Sequence, residues 1–221
     1  MTPTFVPKYA RLVLGNELLA KIINEYEDGK RYQVRQHTVR TVMAVTTSPL
    51  VGLPLGWEAP EGITDAAGVF VGYLLLDALV SNQDRHHENW GVIWLPGRGV
   101  FFAPTFDHAS SLGRNETDQV RTDILGTRDM GRSVNAYVER AKSALFATPA
   151  SASPLKTLEA FLEAAKIRPD AAVYWLDRLA KIDYEQFGEI LAEVPGAEIS
   201  VPARDFARRM LEVNANRILN M

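Results

Sequence analysis

The 221-residue chain has no cysteine. Disulfides and thiolate metal centres are therefore excluded, and a reducing compartment is the natural setting. Charge of one sign is also lacking: 24 basic residues stand against 27 acidic ones, a net of −3. Such a balance gives no general attraction to nucleic acid or to anionic membrane surfaces. The longest apolar run, Ala66 to Val80, is broken by Gly68, Gly72 and Asp77. It falls short of the roughly 20 residues a membrane-spanning helix needs. The start, MTPTFVPKYARLVLG, carries two prolines and no clean apolar run behind a basic segment, so it does not read as a signal peptide. No fixed-period repeat or low-complexity tract occurs. The expectation is a soluble, cytoplasmic protein with no membrane partner and no direct nucleic-acid partner.

What is present is core material. Hydrophobic residues make up 47% and charged residues 23%, ordinary for a globular chain. Helical spacing predicts a helix over Asn16–Glu27, with Asn16 as its cap, and a second over about Tyr32–Thr46. VTTSPLVGLPLGWEAPEG reads as a loop or linker. A helix capped by Thr64 and apolar on nearly every face follows, as expected of an element packed on all sides. Its Asp77 is either paired with an Arg or Lys or shifted in pKa, and a structural ion pair is the expectation. GVIWL and VFFAPTF around PGRG read as a β-hairpin. Beyond Gly113 the pattern is helical: Asp118–Leu125, Ser133–Phe146, Pro154–Ala165, Pro169–Ala180, Tyr184–Glu193 and Pro202–Leu219. The fold class is mainly α (α+β). The expected organisation is one domain over 1–221: a helical segment and linker at 1–60, a motif-bearing core at 61–113 and a helical subdomain at 114–221. The four tryptophans, Trp57, Trp90, Trp94 and Trp175, are expected in core or groove packing.

The chemistry concentrates in two stretches: Asn82-Gln83-Asp84-Arg85-His86-His87-Glu88-Asn89 at the end of the buried helix, and Pro104-Thr105-Phe106-Asp107-His108-Ala109 after the hairpin. Alone, the first is a helix end followed by a polar turn, where Asp and Asn are common anyway. Together they match what phosphoryl transfer requires: a carboxylate at the attacking hydroxyl, an Asn within reach of a metal, and a second carboxylate bridging that metal to the phosphates. Asp84 to Asn89 has the Asp-x-x-x-x-Asn spacing of a kinase catalytic loop, and Phe106-Asp107 supplies an aromatic-Asp pair after a hairpin. Hard oxygen ligands suit Mg²⁺. The histidines also suggest zinc, through His86, His87, Asp107 and His108. Adjacent histidines do not readily face one ion, however, and no H-E-x-x-H spacing is present. His87 and Glu88 read as solvated, and so does His37, on a helix face with basic neighbours. His108 reads equally as a hydrogen-bonded core residue or a site residue.

The run YLLLDALVSNQDRHHENWGVIW, with FAPTFDHASSLG after it, resembles the C-terminal lobe of the HipA-like serine/threonine kinases, the toxin kinases of bacterial toxin–antitoxin modules. The resemblance is specific over roughly 66–113 and general beyond. It implies an ATP- and Mg²⁺-dependent kinase lobe acting on a protein substrate, with catalytic residues Asp84, His86 and Asn89. Asp84 is implied as base, His86 as the loop-organising residue, and Asn89 and Asp107 as Mg²⁺ ligands. Asp84, Asn89 and Asp107 together form the nucleotide–metal set. His108 stands where typical kinases place the Gly after Phe-Asp. The family also has an N-terminal lobe, whereas only 83 residues precede Asp84, no G-x-G-x-x-G occurs, and Lys8, Lys21 and Lys30 lie outside any V-A-I-K-like strand. Three explanations stand open: a lobe on a separate chain, a misassigned start, or a degenerate kinase. The expected partners are a separate N-lobe or antitoxin-like protein chain. The alternative function is a pseudokinase or protein-binding module that keeps the fold without transfer.

Overall fold

The computed structural model describes residues 3–221; the first two residues of the expected N-terminal segment lie outside them. In chain order the elements are β1 (Arg11–Leu14), α1 (Gly15–Ile22), α2 (Val39–Thr46), β2 (Val51–Gly52), α3 (Ala66–Val80), β3 (Gly91–Leu95) and β4 (Gly99–Phe102). Then come α4 (Asp118–Gly126), α5 (Val134–Glu139), α6 (Thr157–Ile167), α7 (Pro169–Ala180), α8 (Tyr184–Ala192) and α9 (Val201–Leu219), with one 3-10 turn at Met130–Arg132.

The apolar character of α3 decides the architecture. Ten of its residues are buried, from Ala66 to Ala78, and α2, α6, α7 and α9 pack around it. Asp65 caps it, its side chain accepting from Gly68 N; the expected cap, Thr64, lies one residue earlier. The hairpin forms as read, with Val92 opposite Phe102 and Leu95 opposite Gly99. Gly97 and Gly99 take the positive φ its tight turn needs.

Four expectations about the first 60 residues need correction. The hairpin belongs to a four-stranded sheet of order β1-β3-β4-β2. Arg11–Leu14, not singled out as a strand, pairs antiparallel with β3, and Val51–Gly52, inside the expected linker, pairs parallel with β4. The first helix begins at Gly15, with Leu14 rather than Asn16 at the cap, and stops at Ile22 because Ile23 turns extended. The second is confined to Val39–Thr46 and is capped by Thr38. In the C-terminal half, α5 keeps Ser133 as its cap but ends at Glu139 rather than Phe146. There the chain extends so that 141–145 can pair with 155–157. As a result α6 starts at Thr157, three residues later than expected, and runs to Ile167. Trp90 is core, whereas Trp94 is 48% exposed on β3.

β1 passes straight into α1 at Gly15, whose N–H donates to Trp90 O at 2.8 Å. A Cβ there would lie 2.3 Å from the Trp90 ring and 2.6 Å from the His87 carbonyl. Gly15→Ala must therefore displace the backbone of the loop that carries Asp84. It is expected to cost about 1–3 kcal/mol, read as a lower urea midpoint at unchanged slope.

Candidate active site

The site is built around one guanidinium. Asp77, in the last turn of α3, and Arg85, eight residues on, are 2% and 0% exposed. Arg85 Nε donates to Asp77 Oδ2 at 2.8 Å and Nη2 donates to Oδ1 at 2.7 Å. This is the paired Asp77 that the apolar helix required. Burial pulls the Arg85 pKa down, but the Asp77 carboxylate more than offsets this and the net shift is upward. Nη1 donates to Asn89 O at 2.7 Å and lies 3.5 Å from Phe106 O. Nη2 also reaches Thr105 Oγ1 at 3.0 Å. The Thr105 hydroxyl lies 2.7 Å from His108 Nε2, so it donates there, and that nitrogen is unprotonated. A single side chain thus ties α3, the Asp84 loop and the segment after β4 together.

Each candidate residue takes its place from that frame. Asn82, fully buried, donates to Asp77 Oδ1 at 2.8 Å and accepts from Asp84 N at 3.1 Å. The Asp84 carboxylate is then held part-buried, where Tyr32 OH donates to Oδ1 at 3.0 Å and Ser110 Oγ to Oδ2 at 3.5 Å. Asn89 spends its amide N–H on Asp84 O at 2.7 Å. No hydrogen bond among the described residues reaches its Oδ1, and that oxygen is not among the sealed, unpartnered atoms. Asp107 is exposed and sits at φ +54°, a left-handed conformation that Asp tolerates better than most residues. The Tyr32 phenol has its pKa raised by burial, by the Asp84 bond and charge, and further by the charge of Asp107. Both carboxylates therefore act on one exposed hydroxyl.

No protein-family model and no curated protein sequence matches the chain. A Helicobacter pylori proinflammatory kinase, CtkA, superposes on it with a TM-score of 0.68 at 20% sequence identity, over 96% of this chain and 66% of that one. The fold is kinase-like. This chain spans about two thirds of the length of CtkA. Among the described residues no helix is long and apolar enough to cross a membrane.

The histidines depart from expectation. His37 and His87 were expected in solvent; each is 1% exposed. His37 precedes α2 rather than lying on a helix face, and it stacks on Trp90. Trp90 Nε1 donates to its Nε2 at 3.0 Å, and its Nδ1 faces Ala144 O at 3.3 Å. His87 Nδ1 pairs with Tyr26 OH at 2.8 Å. His86 does organise the loop: its Nδ1 accepts from Glu88 N at 3.1 Å. Arg31 Nε stands 3.0 Å from His86 Nε2, but a neutral imidazole has one lone pair and one N–H. Arg31 Nε–H and Glu88 N–H thus compete for that lone pair, one at each ring nitrogen, and Asp84 Oδ1 lies 3.6 Å from Nε2. Arg31 finds its counter-charge in Glu88, at 3.4 Å. His86 and His87 point to different partners, and among the described residues no group of three or more His, Cys, Asp or Glu could hold a metal ion.

Sequence reasoning missed Tyr32, Asn82 and the linking role of Arg85. The spacing of Asp77 to Arg85 was visible; that both would face one another under the loop was not.

Asp77→Ala leaves Arg85 buried without its counter-charge. A loss of about 3–5 kcal/mol is expected, measured by equilibrium denaturation. A second expectation concerns pH. Burial pushes the His37 pKa down to about 3, and His86, His87 and His108 are also lowered, chiefly by burial. These groups bind protons more readily when unfolded, so stability is full above about pH 6.5 and falls as pH drops towards 3. His37 alone should remove about 1.4 kcal/mol by pH 5.5. His37→Gln, whose amide can keep both bonds, should flatten that dependence in urea titrations at several pH values.

Proposed function

We propose that this chain is the catalytic lobe of an ATP- and Mg²⁺-dependent phosphotransferase, in finer terms a HipA-like serine/threonine protein kinase. One arrangement supports the reading above all: a part-buried carboxylate that accepts hydroxyls, Asp84, whose main-chain oxygen holds the Asn89 amide and leaves Asn89 Oδ1 without a protein donor; the exposed Asp107 carboxylate, whose charge also reaches Tyr32, is proposed as the second ligand of the same cation. The hard-oxygen set fits Mg²⁺, which keeps several waters and takes few protein ligands. Bound there, it would neutralise phosphate charge. Asp84 orients the acceptor hydroxyl and receives its proton as the oxygen attacks the terminal phosphorus and the nucleoside diphosphate leaves. Asn89 is held for its role by the bond to Asp84 O, and Asp107 by its place beside Arg85-anchored Phe106. The resemblance to HipA-like kinases and the kinase-like fold point the same way. The phosphate-gripping lobe is proposed to come from a partner chain or a longer form of this one, and the acceptor to be a protein.

A second reading, a pseudokinase or protein-binding module, is favoured by one observation: Tyr32 and Ser110 already engage both Asp84 oxygens.

The deciding assay uses an assembly that supplies the phosphate-gripping lobe. Asp84→Asn should leave Mg²⁺–ATP affinity nearly unchanged in calorimetry and lower phosphate transfer by about 10²–10⁴-fold. Asp107→Asn should weaken nucleotide binding and transfer together. An assembly that binds ATP and transfers nothing, to itself or to candidate proteins, sinks the kinase reading; wild-type transfer by Asp84→Asn removes Asp84 as base.

A further inference from the structure

A cavity of about 370 Å³ opens directly beside Asp84, lined by Tyr32, Gln33, Gln83, Lys142, Ser143 and Ser153 among others. Asp84 does not line it, but two neighbours of the candidate base do: Gln83 precedes Asp84 in the chain, and Tyr32 is the residue bonded to its carboxylate. Its far wall is the short extended pairing formed where the chain leaves α5. Ser143 N donates to Leu155 O at 2.8 Å and Thr157 N to Ala141 O at 3.0 Å. These bonds flank Lys142 and Lys156, which are bridge partners. Bonds on either side, and none between, mark the pair type with the closer Cα approach, about 4.5 Å, and side chains on one face.

Two lysines opposed this way repel each other, which costs roughly 0.2–1 kcal/mol. Both are exposed, and neither forms an ion pair among the described residues. The neighbouring carboxylate, Glu159, is committed to the Lys156 backbone N–H at 2.8 Å and not to its ammonium. The cavity thus presents one unneutralised cation, Lys142, with Lys156 directly opposite it across the pairing, and two amide side chains and two hydroxyls at the edge of the base, in a chain whose overall charge is negative.

We propose that this cavity is the acceptor-specificity subsite, selecting a protein segment that carries Asp or Glu close to the hydroxyl to be phosphorylated. The inference rests on Asp84 being the base. Lys142 and Lys156 supply the charge complement; Gln33 and Gln83 supply amides that can bond the bound segment's backbone. Neither lysine touches the reacting atoms, so both act on binding alone.

The test uses the full chain and three fluorescein-labelled peptide pools. Each has a central Ser and randomised small residues, with Glu, Gln or Lys fixed at the flanking positions. By anisotropy at low salt, the Glu pool should bind about 2- to 30-fold more tightly than the Gln pool, the range two exposed pairs supply. Lys142→Gln/Lys156→Gln should erase that preference, and Lys142→Glu/Lys156→Glu should transfer it to the Lys pool. Lys8→Gln/Lys21→Gln, with the same change in net charge, should leave it intact. Equal binding of Glu and Gln pools, a preference that survives the double Gln variant, or equal loss in the Lys8/Lys21 control overturns the subsite. Binding needs no transfer, so the two claims separate. Lysine-dependent capture of the Glu pool with no phosphate reaching its serine in the completed assembly overturns the acceptor role together with the kinase reading, and leaves the cavity as a binding site for acidic segments.

Discussion

The buried Asp77–Arg85 pair is the constraint on which the rest of the site depends. Taking two full charges out of water costs several kcal/mol per ion, and mutual attraction offsets that only when the remaining donors and acceptors find partners. Here Arg85 meets that condition by drawing in the Asn89 and Phe106 carbonyls and the Thr105 hydroxyl, and Asp77 by accepting from Asn82 as well. The residues it draws in are those flanking Asp84, Asn89 and Asp107. Their arrangement follows from satisfying one guanidinium, with a single direct contact among the three, the Asn89 amide on Asp84 O.

The backbone carries part of the cost. Ser81 and Asp107 both lie in the left-handed region, at φ +52° and +54°, where a side chain costs roughly 1–2 kcal/mol. Glycine usually ends a helix in this way. Ser81 stands in its place because its hydroxyl is used: Asn214 Nδ2, from α9, donates to Ser81 Oγ at 2.8 Å and to Leu79 O at 2.9 Å. At Asp107 the strained conformation belongs to a candidate metal ligand, the kind of position where strain persists because the surroundings over-determine it.

How legible all this was depended on distance along the chain. Helix α3 was legible because apolar residues on every face admit one explanation, and the hairpin because Pro-Gly-Arg-Gly separates two β-prone runs. The candidate site was legible as a set of residue types in order. Strand β1 was not, since RLVL is four residues behind a basic, aromatic stretch and becomes a strand only by pairing with β3 some 80 residues later. The early helices were overextended because Ile22, Ile23 and Tyr26 continue a helical spacing that the backbone abandons at Ile23. His37 looked solvated between Arg35 and Arg40, yet its burial is decided by Trp90, 53 positions away. Local pattern carries local structure; which polar groups are sealed in is settled by partners it does not name.

The Asn214 clasp has a consequence for the order of assembly. Its bonds span 135 and 133 residues, so the C-terminal end of α3 and the turn into the Asp84 loop gain their last fastening only once α9 has formed. During synthesis, α3, the hairpin and the motif residues leave the ribosome long before that helix does. Long-range closure of this kind is slow compared with local helix formation. The chain therefore holds its full set of candidate side chains for an interval without the fastening that fixes their geometry, and completes the candidate site only after α9 has docked.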